Sequence, residues 1–330
     1  MGLVFTLILS LLFSVSIGYS NIDISTTAKI ISNKAFGANF NSDWTETAQA
    51  IIWEIRLPRA ILGMLVGAGL AVVGATLQSI MRNNLADPHL FGISSGSALG
   101  AVIIILFLGS FAGAYSISIG AFLGALFATV LVLCIANQKY ERISAEKLLL
   151  SGVACSFVLI AITNLFIFMG EHHSSTSILF WMLGGLGFVR WEQIIIPSVM
   201  LICITPYLTL SYRSLNAIMA GEETAFTLGI NATQVRIIMF ILCALLTGAM
   251  VATSGAIGFV GLMIHHIARF LVGADNRVVL PTCLLLGAIF LLWADILARV
   301  LFAPQEIPIG LLTSFFGGVF CISLMRHKNI

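Results

Sequence analysis

Apolar runs of roughly membrane-crossing length recur along the chain, separated by short polar segments. A helix needs roughly 20 apolar residues to cross about 30 Å of hydrocarbon. By that measure the pattern predicts ten spans, at about 3–19, 57–81, 92–109, 114–136, 147–169, 191–211, 235–254, 258–272, 279–301 and 308–325. The run from Arg236 to Val272 is too long for one crossing and short for two. Ser254-Gly255 is its natural break, so the span that follows is predicted to be short or broken. The outer segment, about 20–55, begins polar, and Trp44 to Trp53 predicts an interfacial helix leading into the second span. The segment 171–190 turns apolar only from Ile178, which predicts an interfacial or re-entrant helix. No Lys or Arg precedes the first run, so it reads as a retained helix rather than a signal peptide.

Composition supports a lipid setting. Of 330 residues, 59% are hydrophobic and 9% charged, against about 25% charged in soluble domains. So few charges cannot cover a soluble surface of this size. The fold class is all-α, a polytopic membrane protein with one transmembrane domain over 1–330. A net charge of +2 gives no footing for nucleic acid. Cys134, Cys155, Cys203, Cys243, Cys283 and Cys321 stand apart, without C-x-x-C, and read as buried packing residues. Ten spans put both termini on one side. With the termini inside, the inner segments collect Arg82, Lys139, Arg142, Lys147, Arg213, Arg236, Arg269, Arg277, Arg326 and Lys328. The outer ones keep Lys29, Lys34, Arg56, Arg59, Arg190 and Arg299, so the bias predicts cytoplasmic termini.

The stretch Arg56 to Gly100 carries most of the local signals. Gly63 and Gly67 form a G-x-x-x-G pair, and Gly74 follows on the same helix. Such spacing lets another helix backbone approach in lipid. Arg82, Asp87 and Pro88 then mark a polar turn, with Gly92 at its far end. Gly67-Ala68-x-x-Ala71-x-x-Gly74-Ala75 also matches Gly248-Ala249-x-x-Ala252-x-x-Gly255-Ala256, five spans later. This is either an inverted repeat of the kind transporters use or a chance match of small residues. His265 and His266 face different sides of a helix and make a poor chelate. Glu171, His172 and His173 form an outer polar patch whose plain reading is solvation. No metal site is predicted.

Several motifs taken together resemble one family. They are Arg56-Leu57-Pro58-Arg59, the small-residue pattern 67–74, Asn83-x-Leu85-Ala86-Asp87-Pro88 and Phe91-Gly92-Ile93-Ser94-Ser95-Gly96-Ser97. Further on come Phe180 to Gly185 with Trp191, Gly221-Glu222-Glu223-x-Ala225-x-x-Leu228-Gly229, Ala294-Asp295-x-Leu297-Ala298-Arg299, and Ala303-Pro304-x-Glu306-x-Pro308-x-Gly310. In this order they are similar to the permease subunits of ABC importers for iron-siderophores, haem and vitamin B12. The chain departs from the family's prolines at Asn84, Ala256 and His265.

The resemblance implies a set of roles. The loop 213–234 would hold a short cytoplasmic coupling helix, with Gly221, Glu222, Glu223, Thr224, Ala225, Leu228 and Gly229 docking a cytosolic ABC ATPase dimer. Read alone, the same residues make an ordinary solvated helix ending at a glycine. Arg56, Arg59 and Arg299 would dock an extracytoplasmic substrate-binding protein, and their plain reading is snorkelling. Asp295 and Arg299 are four apart and could satisfy each other. The fifth and tenth spans would flank the pathway, bringing Ser156, Thr163, Asn164, Thr313 and Ser314, each equally able to satisfy a helix backbone. Pro308 and Gly310, like Asp87, Pro88 and Gly92, read as turn residues.

The implied protein is a permease in a bacterial inner membrane, paired with a second copy or a related permease. It would bind no cofactor, and ATP would be used by the partner. None of the five lysines follows a glycine, so a P-loop is missing from this chain. The cargo assignment followed is an iron chelate, ferric siderophore or haem, with vitamin B12 or molybdate as alternatives. An ion-coupled secondary transporter is the remote alternative, with Asp295 its main embedded carboxylate.

Overall fold

A computed structural model describes residues 2–18, 22–38, 40–41, 43–109, 111–137, 144–170, 172–187 and 189–327. Lys139, Arg142, Glu171 and Lys328, and the side chains of His172 and His173, lie outside the described residues. The described residues are helical throughout, with no strand among them.

Every predicted span appears as a helix. These are α1 (Gly2–Ser16), α4 (Leu57–Met81), α5 (Ile93–Ile103), α6 (Ser116–Ala136), α7 (Ala145–Met169), α9 (Trp191–Leu210), α12 (Ala232–Ser254), α13 (Val260–Val272), α14 (Asn276–Val300) and α15 (Ile309–His327). Six meet the length and hydropathy of a full crossing, and Gly2–Ser16, Ile93–Leu108, Val260–Val272 and Ile309–Leu324 are shorter apolar helices. The break at Ser254-Gly255 is present, because α12 stops there and Gly255 takes a φ of 69°. The 13 residues of α13 rise about 20 Å, short of a full crossing.

Shorter helices fill the connections: α2 (Ile24–Phe36), α3 (Glu46–Ala50), α8 (His172–Met182), α10 (Tyr212–Ala220) and α11 (Glu222–Thr227). The patterns for α2 and α10 are too polar to stand out in sequence. Asp23 caps α2 by accepting from the Ser25 N–H. The expected interfacial helix is α3, which runs on through a π-helical turn (Ile51–Arg56) into α4. Pro58 explains the wide turn. It has no N–H to give to the carbonyl four residues back, and the Leu57 N–H donates to Ile52 O instead.

The centre of the bundle is α4, where only Ile61 and Met64 escape burial among its 25 residues. It packs on α14, α12, α13 and α9. A Cβ on Gly67 would run into the Gly287 carbonyl, and one on Gly74 into the Gly261 backbone. The predicted Gly63–Gly67 pair is therefore not the crossing, since Gly63 meets only a Leu186 methyl. The working pair is Gly67 with Ala71, both of which face Gly287 on α14. A second crossing of the same kind joins α5 to α6, through Gly96 with Gly124 and Gly100 with Gly120. The repeated small-residue pattern has different duties in its two copies. Gly74 stays inside α4, while Gly255 ends α12. Cys155, Cys243 and Cys283 are buried as expected, but Cys134 and Cys203 are exposed and Cys321 is half-buried, because their helices turn those faces outward.

Candidate functional site

The polar groups gather at the two ends of α4 and beside one pocket. The end with Arg56 is called outer here, and the end with Arg82 inner.

At the outer end the structure brings Arg56, Arg59 and Arg299 together and buries each to 7% exposure. Arg59 Nε donates to Asp295 Oδ1 at 2.9 Å, and its Nη1 reaches Glu306 Oε2 at 2.8 Å. Arg299 Nε stands 3.1 Å from Asp295 Oδ2. The other nitrogens of Arg299 donate to Ile17 O and Ser14 O, both at 2.8 Å. Arg56 Nη1 donates to Ser16 O at 2.8 Å. The C-terminus of α1 leaves carbonyls without partners in its own helix, and these two arginines take them up. The three guanidiniums thus tie α1, α4 and α14 within the chain. Glu306 is the exposed member of the group, with half of its side chain in the open. Asp295, the embedded carboxylate, is shared between two arginines.

At the inner end α10 and α11 form a small projecting unit. Gly221, with φ 138°, lets the chain turn between them. Ala225 is buried against Ala217 and Ile218. Gly229 (φ 74°) donates to Phe226 O at 2.9 Å, and Ile230 to Ala225 O at 2.9 Å. That pair of bonds closes the helix in a Schellman turn. Glu223, Thr224, Phe226 and Leu228 face outward. Glu222 differs, because its Oε1 accepts from Arg236 Nη2 at 2.7 Å. Arg236 belongs to the same site, and its signal was a lone cation inside the apolar run of α12. A guanidinium there needs a partner.

Asn216 on α10 was not singled out in the sequence either. Its amide donates to Asp275 Oδ1 at 2.7 Å, and its Oδ1 accepts from Asn276 Nδ2 at 2.9 Å. Asp275 sits outside the span at the start of α14. The Arg277 N–H and the Asn216 amide hold its carboxyl below the usual carboxylate range.

The turn between α4 and α5 is a short 3-10 helix (Pro88–Phe91). Asp87 caps it by accepting from the His89 N–H, and Gly92 closes it at φ 78°. Asp87 and His89 line a cavity of about 370 Å³ with Met182, Phe259 and Ser314. Of the predicted pathway residues, Ser156, Thr163 and Thr313 turn their hydroxyls back to Gly152 O, Leu159 O and Gly310 O. Asn164 and Ser314 remain exposed. Pro308 precedes α15, and Gly310 in its first turn fits against Leu183 O and Ala256 O.

Two of the three positions that depart from proline make contacts, His265 from α13 to α4 and Asn84 from the turn after α4 to α13. His265 Nδ1 lies 2.5 Å from Gln78 Oε1 in the buried core. Arg269 Nη1 donates to Asn84 Oδ1 at 3.4 Å.

Three comparisons bear on this arrangement. The sequence profile of the FecCD transport family matches residues 6–327. The hemin transport system permease protein HmuU of Yersinia pestis is 36% identical over 302 residues, 89% of this chain and 90% of that protein. The vitamin B12 import system permease protein BtuC of Vibrio cholerae is 36% identical over 289 residues, covering 87% of this chain and 86% of that one. Among solved structures, an inward-facing metal-chelate type ABC transporter superposes with a TM-score of 0.85 at 30% identity, covering 99% of this chain and 98% of the other.

Proposed function

The chain belongs to the FecCD transport family, and from that premise we propose that it is the membrane permease of an ABC importer that carries an iron chelate into the cytoplasm. The observation that carries this reading is the near-complete match to permease relatives, joined to a helix, α11, that projects from the inner end with Phe226 and Leu228 exposed. Exposed apolar groups on a short capped helix suit docking to a cytosolic ATPase dimer. That ATPase would supply the ATP chemistry, and this chain alternating access. Glu223, Thr224, Phe226 and Leu228 form the proposed docking face, which Gly221, Ala225 and Gly229 shape and Glu222 holds from behind.

Both termini lie in the cytoplasm on this reading, the protein sits in a bacterial inner membrane, and a second permease copy completes the pathway. The chain itself binds no cofactor. A substrate-binding protein docks at the outer end. Because Arg56, Arg59 and Arg299 are buried, its carboxylates reach them only by competing with Glu306 for Arg59 and with the α1 carbonyls for Arg56 and Arg299. Ser314 and Asn164, exposed on α15 and α7, are the polar candidates for the pathway.

Cobalamin is the second reading for the cargo, favoured by equal identity to relatives named for hemin and for vitamin B12. The secondary-transporter reading loses support, because a carboxylate held by two arginines is badly placed to carry an ion.

The test is ATP hydrolysis in liposomes by the permease with its ATPase and binding protein, challenged in turn with a ferric siderophore, haemin, cobalamin and molybdate. Stimulation by an iron chelate is expected. Stimulation by cobalamin or molybdate alone corrects the cargo, and uptake driven by an ion gradient without an ATPase overturns the class.

A further inference from the structure

We propose that Arg236 and Asn276 fasten the projecting α10–α11 unit to the last turn of α4 at two points, so that movement of the coupling helix is passed to the bundle core. Arg236 is the positioning residue of this joint. The proposal rests on the importer reading.

Two consecutive residues of α4 carry the attachment. Ile80 O accepts from Arg236 Nε at 3.2 Å, while Arg236 Nη2 holds Glu222 on α11. Ser79 Oγ, whose single proton is shared with Ala75 O at 2.8 Å, lies 3.3 Å from Asn276 Oδ1, while Asn276 Nδ2 donates to Asn216 on α10. Each helix of the unit is thus one side chain away from α4. α10 also packs directly on α4 and α14 with Leu215 in the main core, and the two polar contacts, one from each helix, fix the orientation of the unit on that seat. Arg236 is 1% exposed, so water does not compete for the contact. Ile80 O also belongs to the C-terminal turn of α4, where carbonyls lack helical partners and a cation is favoured. The planar guanidinium serves both acceptors from separate nitrogens, which a lysine ammonium does less well.

The α4 core then extends the connection. Gly74 against Gly261 and Gly67 against Gly287 leave no slack between α4 and its neighbours. Close-packed cores answer a push by changing arrangement as a body.

The experiment uses the permease in complex with its ATPase in liposomes. Spin labels go on Thr227→Cys in α11 and Arg82→Cys at the end of α4. Cys134, Cys203 and Cys321 are replaced by serine, and the buried Cys155, Cys243 and Cys283 stay. In the parent protein one narrow distance is expected, the same without nucleotide and with ATP and vanadate. In Arg236→Gln the distance should broaden or shift with nucleotide. ATPase retention should fall less than uptake, and uptake per ATP should fall at least about fivefold, the low end of usual coupling energies. Uptake is read with whichever of haemin, cobalamin and ferric citrate stimulates the parent. Arg236→Lys should recover part of the coupling. If Arg236→Gln does not fold, Glu222→Ala reads the same joint from its exposed side.

An unchanged distance with unchanged coupling overturns the joint and leaves the importer reading intact. Loss of ATPase retention in proportion to uptake, at constant uptake per ATP, also overturns it by reducing Arg236 to a docking or folding role. Failure of the parent to hold any ATPase overturns the importer reading, and the joint with it.

Discussion

The two ends of α4 are held by arginine–carboxylate contacts of opposite character. At the outer end Arg59, Arg299 and Asp295 have side chains only 9%, 6% and 2% exposed. One carboxylate serves two guanidiniums, and the remaining donors go to Glu306 and to carbonyls of α1. At the inner end Arg236 is as deeply buried, at 2%, but its carboxylate partner Glu222 is 57% exposed on a six-residue helix. The first arrangement locks helices to each other. The second joins the bundle to a part that stands away from it. Burial on both sides gives rigidity, whereas burial on one side gives an attachment that a partner can reach.

If that contrast is right, the largest effect should come from Asp295→Asn. It leaves two buried guanidiniums around a neutral amide, and breaking a buried ionic set costs about 3–5 kcal/mol. Thermal unfolding in detergent should show a large loss of stability. A variant as stable as the parent would mean that Glu306 and the α1 carbonyls are enough to satisfy the outer arginines. Next comes Gly67→Val in the middle of α4. Overpacking costs about 1–3 kcal/mol, and here the added carbons meet the Gly287 backbone rather than a side chain that can move. Gly63→Val should be milder, because Leu186 can shift. Equal losses at the two glycines would return the crossing to the 63–67 pair. Glu306→Gln should matter less again. The carboxylate is half exposed, and exposed pairs contribute at most about 1 kcal/mol and fade with salt. A loss matching that of Asp295→Asn, unaffected by salt, would place Glu306 in the lock.

The sequence made the spans legible because hydropathy over twenty residues is a strong signal. The break at Ser254-Gly255 was legible because a glycine interrupts a run too long for one crossing and short for two. The helix α11 showed through its two ends, Gly221 and Gly229. What escaped was distant pairing. The arginines 56, 59 and 299 could be recognised as a set, and Asp295 as the neighbour of Arg299 four residues on, but not that Asp295 would also hold Arg59, nor that Ser14, Ile17 and Glu306 would take the other donors, since these partners lie up to 285 residues away in sequence. Arg236 looked like one more positive charge at the inner side until Glu222 and Ile80 were found beside it. α2 and α10 were missed because they are short and Lys29, Lys34, Arg213 and Asn216 keep them too polar overall to register as apolar runs. The three hydroxyls that close on their own helices, Ser156, Thr163 and Thr313, show the same limit. A polar residue in a span is visible in sequence, but the direction it faces is not.

The smallest effect expected concerns the second inner attachment, through Asn216 and Asp275. Asp275 is solvent-accessible, and its folded pKa lies below the ordinary carboxylate value because the Arg277 N–H and the Asn216 amide favour the ionised form. A depressed folded pKa means that the contribution to stability is fully present above the unfolded pKa, about 3.9. It is lost as pH falls further, through the folded pKa. Asp275→Asn should therefore lower the melting temperature slightly at pH 7, and the gap from the parent should close below about pH 4. A gap for Asp275→Asn that persists undiminished at low pH would show that shape at the start of α14, rather than charge, joins it to α10. Among the described residues, the ionic hold on the projecting unit would then rest on Arg236 with Glu222.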